Sequence, residues 1–245
     1  MSVETPEALK PKKSQIISTV LSPALRLWLR SQVEQVEALQ FNIVGSDRQI
    51  LTGHIPRVSI AANHAVYQGL HLSNIQLEGS DIRVNLGQVI KGKPLRLLEP
   101  VPVVGELRLL ESDLQASLQA PLLSTALTEL VSTFLQSDGT KNPADGLKAR
   151  QISWETIDID DGQLTLCGTL TNATLDTTPV WICAGLELAT PQVLQLYPLQ
   201  IQFSADRPPL KLDGFQIDLG SDVDIQELTL TRGQLMCRGR LSVIP

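Results

Sequence analysis

Gly87, Gly92 and Lys93 fall at the spacing G-x-x-x-x-G-K, inside the run NLGQVIKGKPLRLL from Asn85 to Leu98. That spacing is the skeleton of a phosphate-cradling loop, in which backbone N–H groups and a lysine hold phosphates and the next hydroxyl binds magnesium. Two features exclude it. Pro94 stands where the Ser or Thr must be, and Pro100 and Pro102 follow closely where a phosphate-binding helix would have to run. The run reads instead as a loop between strands. It still gathers Arg83, Lys91, Lys93 and Arg96 near one turn, which suits a phosphate-bearing partner without nucleotide chemistry.

Other reactive residue types form no constellation. His54, His64 and His71 are spaced by 10 and 7 residues with no cysteine nearby, which matches no zinc pattern. Cys167, Cys183 and Cys237 form no C-x-x-C pair and read as reduced, buried thiols. Asp158, Asp160 and Asp161 precede Gly162 but lack the alternating ligands and distant Glu of a calcium loop, so a solvated turn is expected. No G-x-S-x-G nucleophile motif occurs. The expectation is therefore no enzyme, no metal and no cofactor.

Charge is unevenly placed. Residues 1–100 carry a net +3 and residues 101–245 a net −9, within an overall −6. A basic first part offers a face to anions, and an acidic second part could dock a basic protein. The acidic whole argues against nucleic acid as a partner. The opening MSVETPEALKPKK lacks the pattern of a signal peptide, and no apolar run reaches the roughly 18 residues of a membrane span. A cytoplasmic location is expected.

The elements that must position these residues follow from periodicity. Residues 1–13 read as a disordered tail, with Lys10, Lys12 and Lys13 flanking Pro11. The segment SQIISTVLSPALRLWLRSQVEQVEALQ then reads as a helix capped by Ser14, with an apolar stripe of Ile17, Val20, Leu21, Ala24, Leu25, Trp28 and Leu29 accompanied by Arg26 and Arg30. Pro23 either kinks it or marks its start. From Phe41 to Leu118 the period becomes two. Leu70 and Leu72 share a parity with Ile82, Val84 and Leu86, while Ile75 and Leu77 have the other. That predicts a bulge at Ser73–Asn74 and a turn over Glu78–Asp81.

A second helix is predicted in PLLSTALTELVSTFLQ, opened by Pro121 and striped by Leu123, Leu127, Leu130, Val131 and Phe134. Ser137–Gly146 reads as a loop, and alternation then runs nearly to the end. GQLTLCGTL at Gly162–Leu170 is echoed by GQLMCRGRL at Gly233–Leu241, and more loosely by RQILTGHI at Arg48–Ile55. The aromatic content of 4% makes the core aliphatic. The fold class is α+β, an elongated body of antiparallel sheets with a long N-terminal helix and a mid-chain helix covering one face. One domain is expected over 14–245, built of two similar halves at about 14–118 and 119–245.

The run AVYQGLHLSNIQLEGSDIRVNLGQVIKGKPLRLLEPVPVVGELRLLESDLQASLQAPLL resembles the cyanobacterial branch of the LmeA-like phospholipid-binding family. The resemblance extends from roughly Ser14 to the C-terminus and is strongest from Ala65 to Leu123. It implies a curved sheet wrapped against a long helix, similar to tubular lipid-binding folds, and binding of phospholipid at or near a membrane. The mycobacterial namesake is exported or anchored. Without a signal, a peripheral role on the cytoplasmic side is expected here. The resemblance brings no catalytic residues.

On that footing, acyl chains are expected against Leu70, Leu72, Ile82, Val84 and Leu86 of the first sheet and Ile17, Leu21, Leu25 and Trp28 of the helix. Lys91, Lys93 and Arg96 are expected to meet the phosphate, and Lys10, Lys12 and Lys13 an anionic surface. The alternative is a protein-interaction or assembly factor that uses the same fold without lipid. The helix itself can lie in a membrane interface or cover the sheet. The number of aliphatics in its stripe favours covering.

Overall fold

The computed structural model describes residues 17–137, 151–171, 176–203, 208–212 and 214–245. Two antiparallel sheets dominate them. The first begins with β1 (Gln35–Val44), β2 (His54–Tyr67), β3 (Leu70–Arg83) and β4 (Val101–Leu110) in sequence order. The second is built from β5 (Gln151–Asp160), β6 (Gln163–Thr171), β7 (Thr177–Thr190), β8 (Val193–Phe203) and β10 (Phe215–Asp218), with the short β9 (Leu210–Leu212) also on β8. The last hairpin, β11 (Val223–Thr231) and β12 (Gln234–Val243), returns to the first sheet, where β12 pairs with β4 and β11 forms the edge. The architecture is α+β. A cut at 118/119 does not separate the sheets, because this hairpin belongs to the first.

Each sheet has its own aliphatic core. A wide π-helical turn (Ile17–Leu21) runs directly into α1 (Ser22–Gln32), and Pro23 sits where the π turn gives way to the α-helix. Leu21 and Leu25 of this helix are buried against Ile55, Val58, Ile82 and Val103. The second sheet packs Trp154, Ile157, Leu166, Ile182 and Ile201 with Leu123, Leu127, Leu130 and Val131 of α5 (Pro121–Ser137). Two further short helices, α2 (Asp47–Leu51) and α3 (Leu86–Val89), lie at the β1–β2 and β3–β4 connections, and α4 (Glu111–Ser117) follows β4. A capping box of Ser46 and Gln49 starts α2.

Several expectations need correction. Gln35–Gln40 is strand, not helix, because it completes the ladder to β2 from Gln35↔Val66 onward. Residues Glu111–Ser117 are helix, not strand. There is no bulge at Ser73–Asn74 and no chain reversal over Glu78–Asp81, since β3 keeps one register with β2 from Tyr67↔Leu70 to His54↔Arg83. The face changes at Asp81, whose φ of 53° lies in the left-handed region. Ile82 thereby joins the face of Gly79, and its Cδ1 lies 3.3 Å from where a Gly79 Cβ would sit. The tail over 1–13, the Ser14 cap and the expected loop beyond Ser137 lie outside the described residues.

The two sheets are joined by α4 and by two hairpin turns. β5 is an edge strand, so alternate N–H and C=O groups have no strand partner. Glu111, Gln115 and Gln119, spaced by four, face it. Glu111 Oε2 accepts from Ile159 N (2.8 Å), Gln115 Oε1 accepts from Ile157 N (3.0 Å), and Gln115 Nε2 and Gln119 Nε2 donate to Glu155 O and Trp154 O (both 2.6 Å). On another face of α4, Asp113 accepts from Ser73 Oγ, and Ser117 Oγ accepts from His71 N (2.8 Å).

The echoed sequence motifs meet beside this helix. Gly162 N donates to Leu230 O (3.1 Å) and Gly233 N donates to Ile159 O (2.8 Å). Each glycine thus bonds to the carbonyl three residues before the other. Both have positive φ, 71° and 76°, a backbone that suits glycine in these turns.

Glu111→Ala is expected to lower the thermal midpoint by roughly 2–12 °C. An unsatisfied buried donor costs about 1–3 kcal/mol, at about 2–4 °C per kcal/mol for a chain of this size. Glu111→Gln keeps an acceptor and should recover most of the loss in a circular-dichroism melt.

Candidate functional site

The pairing registers of the first sheet align apolar residues into rows that cross all six strands. One row is Leu39, Ala62, Ile75, Leu107, Cys237 and Leu228. The next is Phe41, Ile60, Leu77, Gly105, Gly239 and Ile225. Apart from the Cys237 thiol, neither row contains a polar side chain. Leu77 reaches across to Gly105, its Cδ2 lying 2.7 Å from where a Cβ there would sit, so a side chain at 105 would displace it.

These rows form an apolar floor between two roofs. Past the Phe41 row, Val58, Gly79 and Val103 are buried on the side where α1 packs. Past the Leu39 row, Ser73 is buried where Asp113 of α4 bonds to it. Between them, every residue of both rows except Ala62 is only half-buried. Leu39, Ile75, Leu107, Cys237 and Leu228 belong to neither apolar core. Six strands at about 4.8 Å make a row roughly 24 Å long. A bilayer's hydrocarbon core is about 30 Å thick, so a chain within one leaflet reaches about 15 Å and fits along a row.

At the β1 edge the floor meets cationic groups. The Arg26 guanidinium lies over the Phe41 ring, 5.4 Å from its centroid. Arg26 and Arg30, one helical turn apart, line a recess with Val36, Glu37, Ala38, Leu39 and Gln40. Two guanidiniums against the single Glu37 carboxylate leave a net positive charge, and guanidinium is suited to bidentate contact with phosphate. Other recesses lack this. One between α5 and the β2–β3 turn has Glu34 and Glu129 as its charged groups, which disfavours an anion. Another holds Glu37 and Asp113 beside His64 and His71.

The structure distributes the sequence candidates differently. Ile82, Val84 and Leu86 are buried in the first core, as are Leu21 and Leu25, while Ile17 and Trp28 pack half-buried against it. Leu70 and Leu72 are half-buried, and Leu72 lines a recess with Ala65 and Asp113. Of the five sheet candidates, Ile82, Val84 and Leu86 are thus closed into the core and Leu70 and Leu72 are not. Lys91, Lys93 and Arg96 are exposed on the α3–β4 loop, at the sheet end beyond the α1-covered rows. Lys10, Lys12 and Lys13 lie outside the described residues. Asp160 lies 3.3 Å from Arg232, and Asp161 accepts from the Arg232 N–H. The phosphate-loop spacing is occupied by the four-residue α3 and a turn at Gly92.

The floor was not named from sequence because each strand supplies only one residue to a row, and the partner strands are far apart in the chain. The signal available was the alternation in β11 and β12, whose placement beside β4 is a tertiary fact.

The protein family described as LmeA-like phospholipid-binding matches residues 13–240. No curated protein and no solved structure matches the chain. No described helix is long and apolar enough to cross a membrane.

Closed core and open floor should respond differently to truncation. Leu25→Ala is expected to cost about 2–5 kcal/mol in urea denaturation, and Leu107→Ala only about 1 kcal/mol. Burial also raises the Cys237 thiol pKa above its ordinary value. Its alkylation by iodoacetamide should be slower than that of free cysteine at neutral pH and should accelerate as pH rises past the usual thiol range, because the thiolate is the nucleophile. A rate equal to free cysteine at every pH would place the floor fully in water.

Proposed function

The chain belongs to the LmeA-like phospholipid-binding family, and from that premise we propose that the floor of the first sheet takes an acyl chain of a membrane phospholipid while Arg26 and Arg30 hold its phosphate. The protein then acts by holding lipid, without converting it, as a peripheral partner of a membrane. The observation that carries this reading is the apolar Leu39 row, left half-buried outside both cores between α1 and α4, with the Phe41 row packed against the first core at its margin. A soluble fold gains by closing such a surface, and each methylene removed from water contributes about 0.8 kcal/mol. Eight methylenes along a row would contribute roughly 6 kcal/mol. The Arg26–Arg30 recess touches the floor at Leu39, so chain and phosphate can be engaged together.

Three measurements test this. Native mass spectrometry of protein exposed to a membrane lipid extract should show bound phospholipid. Monomeric dihexanoylphosphatidylglycerol should protect Cys237 from iodoacetamide, with Cys167 of the second sheet as the internal comparison in peptide mapping. Arg26→Ala with Arg30→Ala should weaken that protection by about tenfold to a hundredfold, the range for loss of a charge-assisted hydrogen bond of about 1.5–3 kcal/mol. Protein that takes up no lipid and leaves Cys237 unprotected would overturn the reading and favour an assembly factor built on the same fold.

A further inference from the structure

We propose that the protein docks on anionic bilayers through the β1–β2 and β3–β4 connections at one end of the first sheet, a proposal that takes its kind of partner from the lipid-binding reading above. All six strands of that sheet reach this end, at Val44, His54, Arg83, Val101, Val243 and Val223, and only its β11 side adjoins the second sheet, where Ile225 N donates to Pro191 O (2.7 Å). The opposite end is taken up by α4 and the joint to the second sheet.

The loop between β3 and β4 is a built platform. The buried Asn85 side chain donates to Pro94 O (3.0 Å) and accepts from Arg96 N (2.8 Å), and Val84 bridges to Leu97. Gly92, at φ 81°, ends the helical turn and has open space around it. This platform turns Ile90 and Leu98 outward, 58% and 59% exposed. Leu51 on α2 and Val44 at the end of β1 are exposed at the same end, at 59% and 49%.

Single exposed aliphatics are ordinary on a soluble surface. Here several are held rigidly at one end and interleaved with cations. On the loop itself Lys91, Lys93 and Arg96 are all exposed against one acid, Glu99. Arg48 and Arg83 add positive charge nearby. The remaining acids of this end are Asp47 in the first turn of α2, Asp81, which lies 3.4 Å from His54, and, at the far edge strand, Asp222 and Asp224, the latter in register with Arg240. A net positive end on a chain of net charge −6 is complementary to anionic lipid, and protruding aliphatics among lysines and arginines match the headgroup boundary of a bilayer.

Sedimentation with phosphatidylcholine vesicles, with and without phosphatidylglycerol, tests the proposal on the full chain. Wild type should sediment with the anionic vesicles and lose this at high salt. Lys91→Glu, Lys93→Glu and Arg96→Glu together should weaken partitioning by on the order of a hundredfold or more, at roughly fivefold per cation removed. Ile90→Ser with Leu98→Ser should also weaken it, and this second variant decides the matter if the first melts early. Arg108→Glu, Arg238→Glu and, on β9 of the second sheet, Lys211→Glu make the same charge change away from this end and should weaken it far less. Equal loss in that control, or wild-type partitioning by the loop variants, would overturn the proposal. Wild type that sediments with neither vesicle would also overturn it and leave this end to a protein partner. The lipid-binding reading is scored separately, by Cys237 protection with monomeric lipid in wild type and in the loop variants.

Discussion

The free edge of β5 is the constraint on which the arrangement of the molecule rests. An edge strand carries unpaired N–H and C=O groups that must be satisfied or left to solvent. Ile157 and Ile159 are buried, so water cannot serve their N–H groups well. A third strand there would have extended the second sheet. Instead, Glu111, Gln115 and Gln119 supply side-chain acceptors and donors from one face of α4. The same helix holds β3 through Asp113 and Ser117. The chain then has a fixed place to bring β11 and β12, whose turn at Gly233 bonds back to Ile159. The first sheet has six strands because that hairpin is captured.

Much of this was legible where the chemistry is local. Alternation marked the stretch that holds β2, β3 and β4 without resolving their ends, the apolar stripes fell on α1 and α5, and Pro121 opens α5. The repeat of GQL at Gly162 and Gly233 marked a real correspondence, two glycine turns that bond reciprocally. The rest was not legible because tertiary contacts decided it. Val33, Val36 and Leu39 continue a helical spacing, yet Gln35–Val44 is strand because β2 offers it a complete ladder. Glu111, Gln115 and Gln119 carry a spacing of four that signals a helix, but in isolation it competes with the alternation before it. A parity argument assumed plain alternation through β2 and β3, and the left-handed residues His64 and Asp81 interrupt it.

The candidate site divides the same way. Cations on the GQVIKGKPLRL turn were visible as a cluster, and the structure keeps Lys91, Lys93 and Arg96 together and exposed. Their distance from the apolar floor was not visible, since it depends on which end of the sheet the loop closes. Arg26 and Arg30 read as the polar flank of an amphipathic helix until Phe41 is brought under one of them. The floor needed the full strand order, because residues as far apart as Leu39 and Leu228 become members of one row only through four intervening strands.

What keeps the floor from closing follows from the two roofs. α1 is anchored at the far rows by Leu21 and Leu25, both buried, and a slide toward the Leu39 row would withdraw them from Ile55, Val58 and Ile82. α4 is anchored on both sides by hydrogen bonds to β3 and β5, and a slide the other way would strip acceptors from buried N–H groups at about 1–3 kcal/mol each. Neither helix can cover the middle rows without losing more than it gains there. The second core has no such gap, because α5 lies along its sheet and packs Leu123, Leu127, Leu130 and Val131 into it. The half-buried Leu39 row is thus a consequence of how the two sheets are joined, and a ligand laid along it adds burial beside the Phe41 row, which already packs against the first core.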